Sequence, residues 1–154
     1  MKSKVLLILT IVYSFITNAQ EYKQSEFKND SFILSCKCIK VVDKFNNKKG
    51  TYNYAFESKN RQNGYMISVR EIDMSKKDKT TFLKSIKNAG VLNFRDTYFL
   101  TNNAIIADFK KDNYYGKQIG FFNKEKSYTI TIIGDSKKSR NNLYENLIRT
   151  FKTK

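Results

Sequence analysis

Residues 117–151 read KQIGFFNKEKSYTITIIGDSKKSRNNLYENLIRTF, and one change of period inside them decides the fold class. From Lys117 to Asn123, and again from Ser127 to Gly134, β-branched and aromatic residues dominate on either side of the polar turn Asn123 to Lys126. That pattern is a pair of antiparallel strands. Beyond Gly134, Asp135 or Ser136 can cap a helix. Leu143, Leu147, Ile148 and Phe151 share one stripe of it, and Lys137, Lys138, Arg140, Asn141, Glu145 and Arg149 lie off that stripe. A hairpin followed at once by an amphipathic helix is a sheet with a cover, which makes the class α+β.

Working outward, the same alternation predicts strands at Thr97 to Leu100 and Ala104 to Lys110, with loops at Thr101 to Asn103 and Lys111 to Gly116. Before them, Ser75 can cap a helix carrying Phe82, Leu83, Ile86 and Ala89 on one face, with Gly90 as its left-handed stop. Three further strands are predicted upstream. The first runs from Phe32 to Lys44, with Phe32, Leu34, Cys36, Cys38 and Val42 on one face. The second, Thr51 to Ser58, alternates Tyr52, Tyr54 and Phe56, and the third begins at Tyr65 and runs to Ile72. Turns at Asn46 to Gly50 and at Asn63-Gly64 separate them. The expectation is a central antiparallel sheet of about six to seven strands flanked by helices.

The N-terminus carries a different message. Lys2 and Lys4 precede an apolar run from Val5 to Ile16 and the small-polar sequence Thr17-Asn18-Ala19-Gln20, the order of a secretory signal peptide cleaved between Ala19 and Gln20. The run is shorter than the roughly 20 residues a membrane-spanning helix needs. No cysteine follows the cleavage point to accept a lipid. The expected organisation is a signal peptide at 1–19, a flexible polar lead-in at 20–31 and one α+β domain at 32–154. Without proline or an internal repeat, nothing marks a second domain. The protein is expected to be exported, periplasmic or extracellular, and a monomer with no membrane span after cleavage.

Loss of the leader takes two lysines and no acid from a net charge of +15, leaving +13. Such a charge favours anionic partners. Yet the excess is spread along the chain and only five of the 29 cations are arginine, where a nucleic-acid site gathers cations on one stripe. Weak, salt-sensitive binding to any polyanion is the expectation.

Chemistry is bounded mainly by exclusion. Without a histidine the chain has no Ser-His-Asp or Cys-His system, no His-ligated zinc and no imidazole base. Two thiols cannot supply a four-ligand zinc site, and the six glycines are scattered singly, so no phosphate loop exists. No metal or cofactor is expected. Cys36-Lys37-Cys38 has the form of a redox pair with a lysine favouring the thiolate. It also fits two unbridged thiols packed inward from a strand, and this is the preferred reading, because residues two apart in a strand have Cα atoms about 6.5 to 7 Å apart. That separation is too wide for a bridge without a bulge or turn. Ser25-Glu26-Phe27-Lys28 matches a Ser-x-x-Lys nucleophile spacing but has no partner motif, and Glu71 with Asp73 reads as a solvated pair of strand-end acids. The positive signal is Lys110 to Lys117, where Lys110, Lys111 and Lys117 surround Tyr114 and Tyr115. Aromatic faces flanked by ammonium groups can stack on a base or sugar while neutralising its charge.

Tyr65-Met66-Ile67-Ser68-Val69 leading into a lysine-rich helix, the Gly-Phe-Phe strand pair at 120–133, and a closing helix ending Leu147-Ile148-Arg149-Thr150-Phe151-Lys152 resemble the PsbP-like domain over residues 32–152. That fold includes an extrinsic photosystem subunit, a nuclear import factor that binds Ran, and many secreted bacterial proteins. The resemblance implies a central antiparallel sheet flanked by helices and an accessory or binding role without catalysis. It transfers no functional residue. The function expected is therefore that of a secreted, non-catalytic binding protein; the alternatives are an anionic-ligand binder (polysaccharide, nucleic acid or lipid) and a histidine-independent enzyme. The enzyme requires two or more of Glu71, Asp73, Asp108, Lys110 and Asp112 to converge in a deep pocket.

Overall fold

A computed structural model describes residues 23–154. The signal peptide expected at 1–19 and the cleavage expected between Ala19 and Gln20 lie outside the described residues. Ten strands and two helices follow in order: β1 (Ser25–Lys28), β2 (Phe32–Cys36), β3 (Ile39–Asn46), β4 (Thr51–Glu57), β5 (Gly64–Glu71), α1 (Lys76–Asn88), β6 (Arg95–Phe99), β7 (Asn102–Lys111), β8 (Tyr114–Asn123), β9 (Lys126–Gly134), α2 (Lys137–Thr150) and β10 (Lys152–Thr153). The principal sheet has seven strands in the order β3-β4-β5-β9-β8-β7-β6, every pair antiparallel. Two meanders, β3 to β5 and β6 to β9, are thus joined through the β5–β9 pairing. A second sheet, β1-β2-β10, has three strands.

Strand alternation gives the principal sheet two unlike faces. On the inner face, Tyr54, Phe56, Tyr65, Ile67, Val69, Ile119, Phe121, Tyr128, Ile130 and Ile132 are buried beneath α2 and the small sheet, which contribute Leu147, Phe151, Phe32 and Leu34. Tyr65 Oη donates to Leu143 O at 2.9 Å and Tyr128 Oη donates to Ser31 O at 2.9 Å, so each buried hydroxyl finds a backbone partner on the covering layer. The outer face is covered over only part of its width. There α1, capped by Ser75 and stopped at Gly90 (φ 69°), sets Leu83 against Ile105 and Phe122, with Ile72, Ile86 and Phe94 beside them.

Three local expectations are corrected. The polar stretch 20–31 contains a strand, because Phe27 gives β1 an apolar anchor 4.9 Å from the ring of Phe56 and residues 25–28 pair with 33–36 of β2. The single strand expected from Phe32 to Lys44 is broken at Lys37, and its halves enter different sheets. That break also settles the cysteines. The bend draws the Cα atoms of Cys36 and Cys38 to 5.3 Å, inside the disulfide range, and the two are bridged, not free. Both remain buried in the core. Finally, the loop expected at Lys111 to Gly116 is almost all strand: β7 and β8 are joined by Asp112 and Asn113 alone, with Asp112 in the left-handed conformation (φ 53°) that aspartate tolerates.

Candidate functional site

Because residues 110–117 are strand, their side chains divide between the faces. Lys110, Tyr115 and Lys117 belong to the inner face, and Lys111 and Tyr114 to the outer one, as the register pairs Lys110↔Tyr115 and Asp108↔Lys117 require. The expected cluster of three cations around two tyrosines is not assembled on one surface. Lys110 Nζ sits 5.4 Å from the centre of the Tyr115 ring. Lys117 is buried, 5% exposed, with its ammonium 2.6 Å from Asp108 Oδ1 and 4.8 Å from the centre of the Tyr144 ring. Arg140 of α2 reaches the same carboxylate at 2.8 Å and Arg95 of β6 at 3.4 Å. Burial alone would raise the Asp108 carboxyl, but the Lys117 hydrogen bond and the charges of Lys117, Arg140 and Arg95 outweigh it and hold the group below its ordinary range. Lys117 is thus engaged in joining β7, β8 and α2.

The outer face carries a concave feature next to the residues of the β7–β8 turn. Past the end of α1, a groove of about 420 Å³ opens on the sheet between the β7–β8 turn and the β4–β5 turn. Ala55, Met66 and Ile133 come from adjacent strands, in register Ala55↔Met66 and, two residues along, Gly64↔Ile133. Phe109, Lys111 and Tyr114 form one side, and Arg61 and Gln62 the other. Met66 and Tyr114 are exposed although large and apolar in body. Four charges, Arg61 and Lys111 with Glu57 and Asp112, stand around this lining, and none of them is in an ion pair within 4 Å among the described residues.

The walls are held firmly. Phe109 lies flat over Gly116, whose backbone it covers so closely that a Cβ there would fall 2.0 Å from the ring, so only glycine admits this aromatic wall. The opposite turn is tied to the start of α2: Asp135 N donates to Asn63 Oδ1 at 2.8 Å, and within the turn Ser58 N donates to Asn63 O at 2.8 Å. A site whose walls are set before a ligand arrives loses less conformational entropy on binding.

The carboxylates do not converge. Glu71 ends β5 opposite Lys126, at the far end from Gly64 and the groove, and Asp73 lies beyond it. Asp108 is on the inner face, and of the five residues from which an enzyme would need two or more to converge, only Asp112 borders the groove. Among the described residues no group of three or more acids and cysteines could hold a metal ion, and no helix is long and apolar enough to cross a membrane. Ser25 and Lys28 lie three apart in β1, on opposite faces of the strand, and Ser25 Oγ donates to Lys23 O.

The groove's apolar members escaped the sequence reading. Met66 stands between the inward Tyr65 and Ile67, and Phe109 between Asp108 and Lys110, so both break the polar outward half of an alternating strand. That was the available signal.

Seven antiparallel strands, a helix on one face and a terminal helix with a small sheet on the other make this a PsbP-like α+β fold. The solution structure of cyanobacterial PsbP (CyanoP) from Synechocystis sp. PCC 6803 superposes with a TM-score of 0.56 at 12% identity, covering 89% of this chain and 96% of that one. No family model and no curated protein matches the chain. The likeness is one of fold.

Proposed function

We propose that the protein is an exported, non-catalytic binding protein, and that its ligand is a small molecule with an apolar body and an anionic end, held in the outer-face groove. The carrying observation is the groove itself: an apolar floor with an aromatic wall, of a size within the usual range of small-molecule sites, on a sheet face that α1 covers only in part. The net charge, +15 for the whole chain and +13 without Lys2 and Lys4 of residues 1–19, favours an anionic end. Lys111 and Arg61 stand where they could meet it, and Glu57 and Asp112 set a limit on how much negative charge is welcome. Dispersal of the carboxylates and the absence of histidine support a site that binds without catalysis. Division of residues 110–117 between two faces argues against a polyanion track.

Anilinonaphthalenesulfonate, an aromatic body with one sulfonate, tests the reading. Its fluorescence should rise on the native protein at physiological salt. Ala55→Phe, which fills the floor, should remove about 80% or more of that rise while the melting temperature stays unchanged, a loss matching occlusion of one site. Equal fluorescence with wild type and Ala55→Phe would sink the assignment.

A further inference from the structure

We infer that the free edge of β3 is a docking edge for an extended acidic polypeptide segment, which adds to the principal sheet as an eighth strand. β3 ends the strand order: one side is hydrogen-bonded to β4, and no strand of the described residues lies on the other. A free edge presents a row of unpaired backbone N–H and C=O groups, and soluble proteins ordinarily blunt it with short length, charge or cover. The other edges are blunted in this way. β6 has five residues, and its Arg95 and Asp96 are engaged by Asp108 and Lys87; β1 has four, alternating with Glu26 and Lys28.

β3 is different. It is eight residues long and exposed throughout, yet four of those residues are apolar: Ile39, Val41, Val42 and Phe45 are 39–46% exposed. Phe45 and its cross-strand partner Tyr52, also exposed, have ring centres 4.5 Å apart, a ready shelf for an apolar side chain of an added strand. The register shift between Lys40 and Val42 leaves Val41 without a Cα partner, so the regular edge is Val42 to Asn46. Five residues of strand, about 17 Å, is an ordinary length for strand addition.

Charge selects the partner. Lys37, Lys40, Lys44, Lys48 and Lys49 stand on or beside this strand against a single acid, Asp43, which is already ion-paired with Lys40. A second copy of the chain would bring the same lysines and a net charge of +15 against them. An extended segment alternating acidic and β-branched residues complements both the cations and the apolar side chains, with main-chain hydrogen bonds giving affinity and alternate side chains giving selection. The groove plays no part in this contact.

The test uses a short, blocked peptide alternating glutamate and valine, and its counterpart with lysine for glutamate. Amide hydrogen exchange of the full chain should slow at Val42 to Asn46 by about tenfold or more at saturating glutamate peptide, with β6 unchanged, since ladder bonds protect only where they form. Lys44→Glu, an exposed change, should weaken the glutamate peptide by about fivefold or more, and the lysine peptide should bind at least about tenfold more weakly than the glutamate one. Equal binding of the two peptides, or protection elsewhere than β3, overturns the inference. So does protection of β3 in the free protein that rises with concentration together with dimer in ultracentrifugation, because the edge is then occupied by a second copy.

Discussion

Asp108→Asn should be the most damaging single exchange of one polar group for another in the molecule. The substitution keeps the size of the side chain but removes the negative charge facing two enclosed cations, Lys117 with a side chain 7% exposed and Arg140 at 13%. Stripping one partner from a buried pair costs about 3–5 kcal/mol, because the remaining charge is left uncompensated in a poorly solvated place. Asp108 is itself 36% exposed and Arg95 more so, so water screens part of the interaction and about 2–3 kcal/mol is the reasonable magnitude. For a domain of this size that is a fall in Tm of roughly 6–12 °C. Lys117→Met should cost less, about 1 kcal/mol or below, because it removes the buried charge while Arg140 and Arg95 still satisfy Asp108. The double variant should be more stable than Asp108→Asn alone, a non-additivity measurable by urea denaturation. Acid pH provides an independent readout. Folding holds the Asp108 carboxyl below its ordinary 3.8, so its contribution is fully present above that pH and is lost as pH falls through the depressed folded value; Asp108→Asn should flatten that limb. If Asp108→Asn lies within about 0.5 kcal/mol of wild type, or Lys117→Met is the worse of the two, the network is not what joins α2 to the sheet.

Three further outcomes follow from the same geometry. Burial pushes Tyr65 and Tyr128 up to about 12, so the unfolded chain ionises first and stability should fall as pH rises from 10 towards 12; Tyr65→Phe and Tyr128→Phe should each shallow that alkaline limb in calorimetry. No thiol should react with Ellman's reagent in unfolded protein kept without reductant, and two should react after reduction. The bridge closes so short a loop that cutting it costs only about 1.5 kcal/mol on the chain-entropy scale, and Cys36→Ala/Cys38→Ala should still fold. At the β6–β7 turn, Thr101 is a β-branched residue held at φ 68°, so Thr101→Gly should raise stability by about 0.5–1 kcal/mol in thermal melts.

The period change at Gly134 carried most of the architecture, because strands and helices bury their faces with different repeats. Ser75, Gly90 and Ser136 marked the helix ends through local hydrogen bonding and backbone preference, and these emerged where the sequence placed them. What stayed hidden depends on distant partners. The bend at Lys37 sends the strands on either side of it, β2 and β3, into different sheets and leaves Cys38 in the link between them, and no local pattern announces which sheet a strand will join. Phe27 looked isolated in a polar run until Phe56 appeared beside it. A connection was expected between Lys111 and Gly116 and lies there, but its length decided the faces of Lys110 to Lys117. A two-residue turn extends both strands, whereas the longer loop expected would have left those side chains free to cluster.

Amide chemical-shift mapping with anilinonaphthalenesulfonate addresses the binding groove most directly. Perturbations should concentrate at residues 55–66, 109–114 and 133, saturate with one site, and vanish in Ala55→Phe, leaving Asp108, Lys117 and Arg140 undisturbed. Shifts centred on the inner-face network or on the lysines of α2, with none at Met66, Phe109 or Tyr114, would contradict the account.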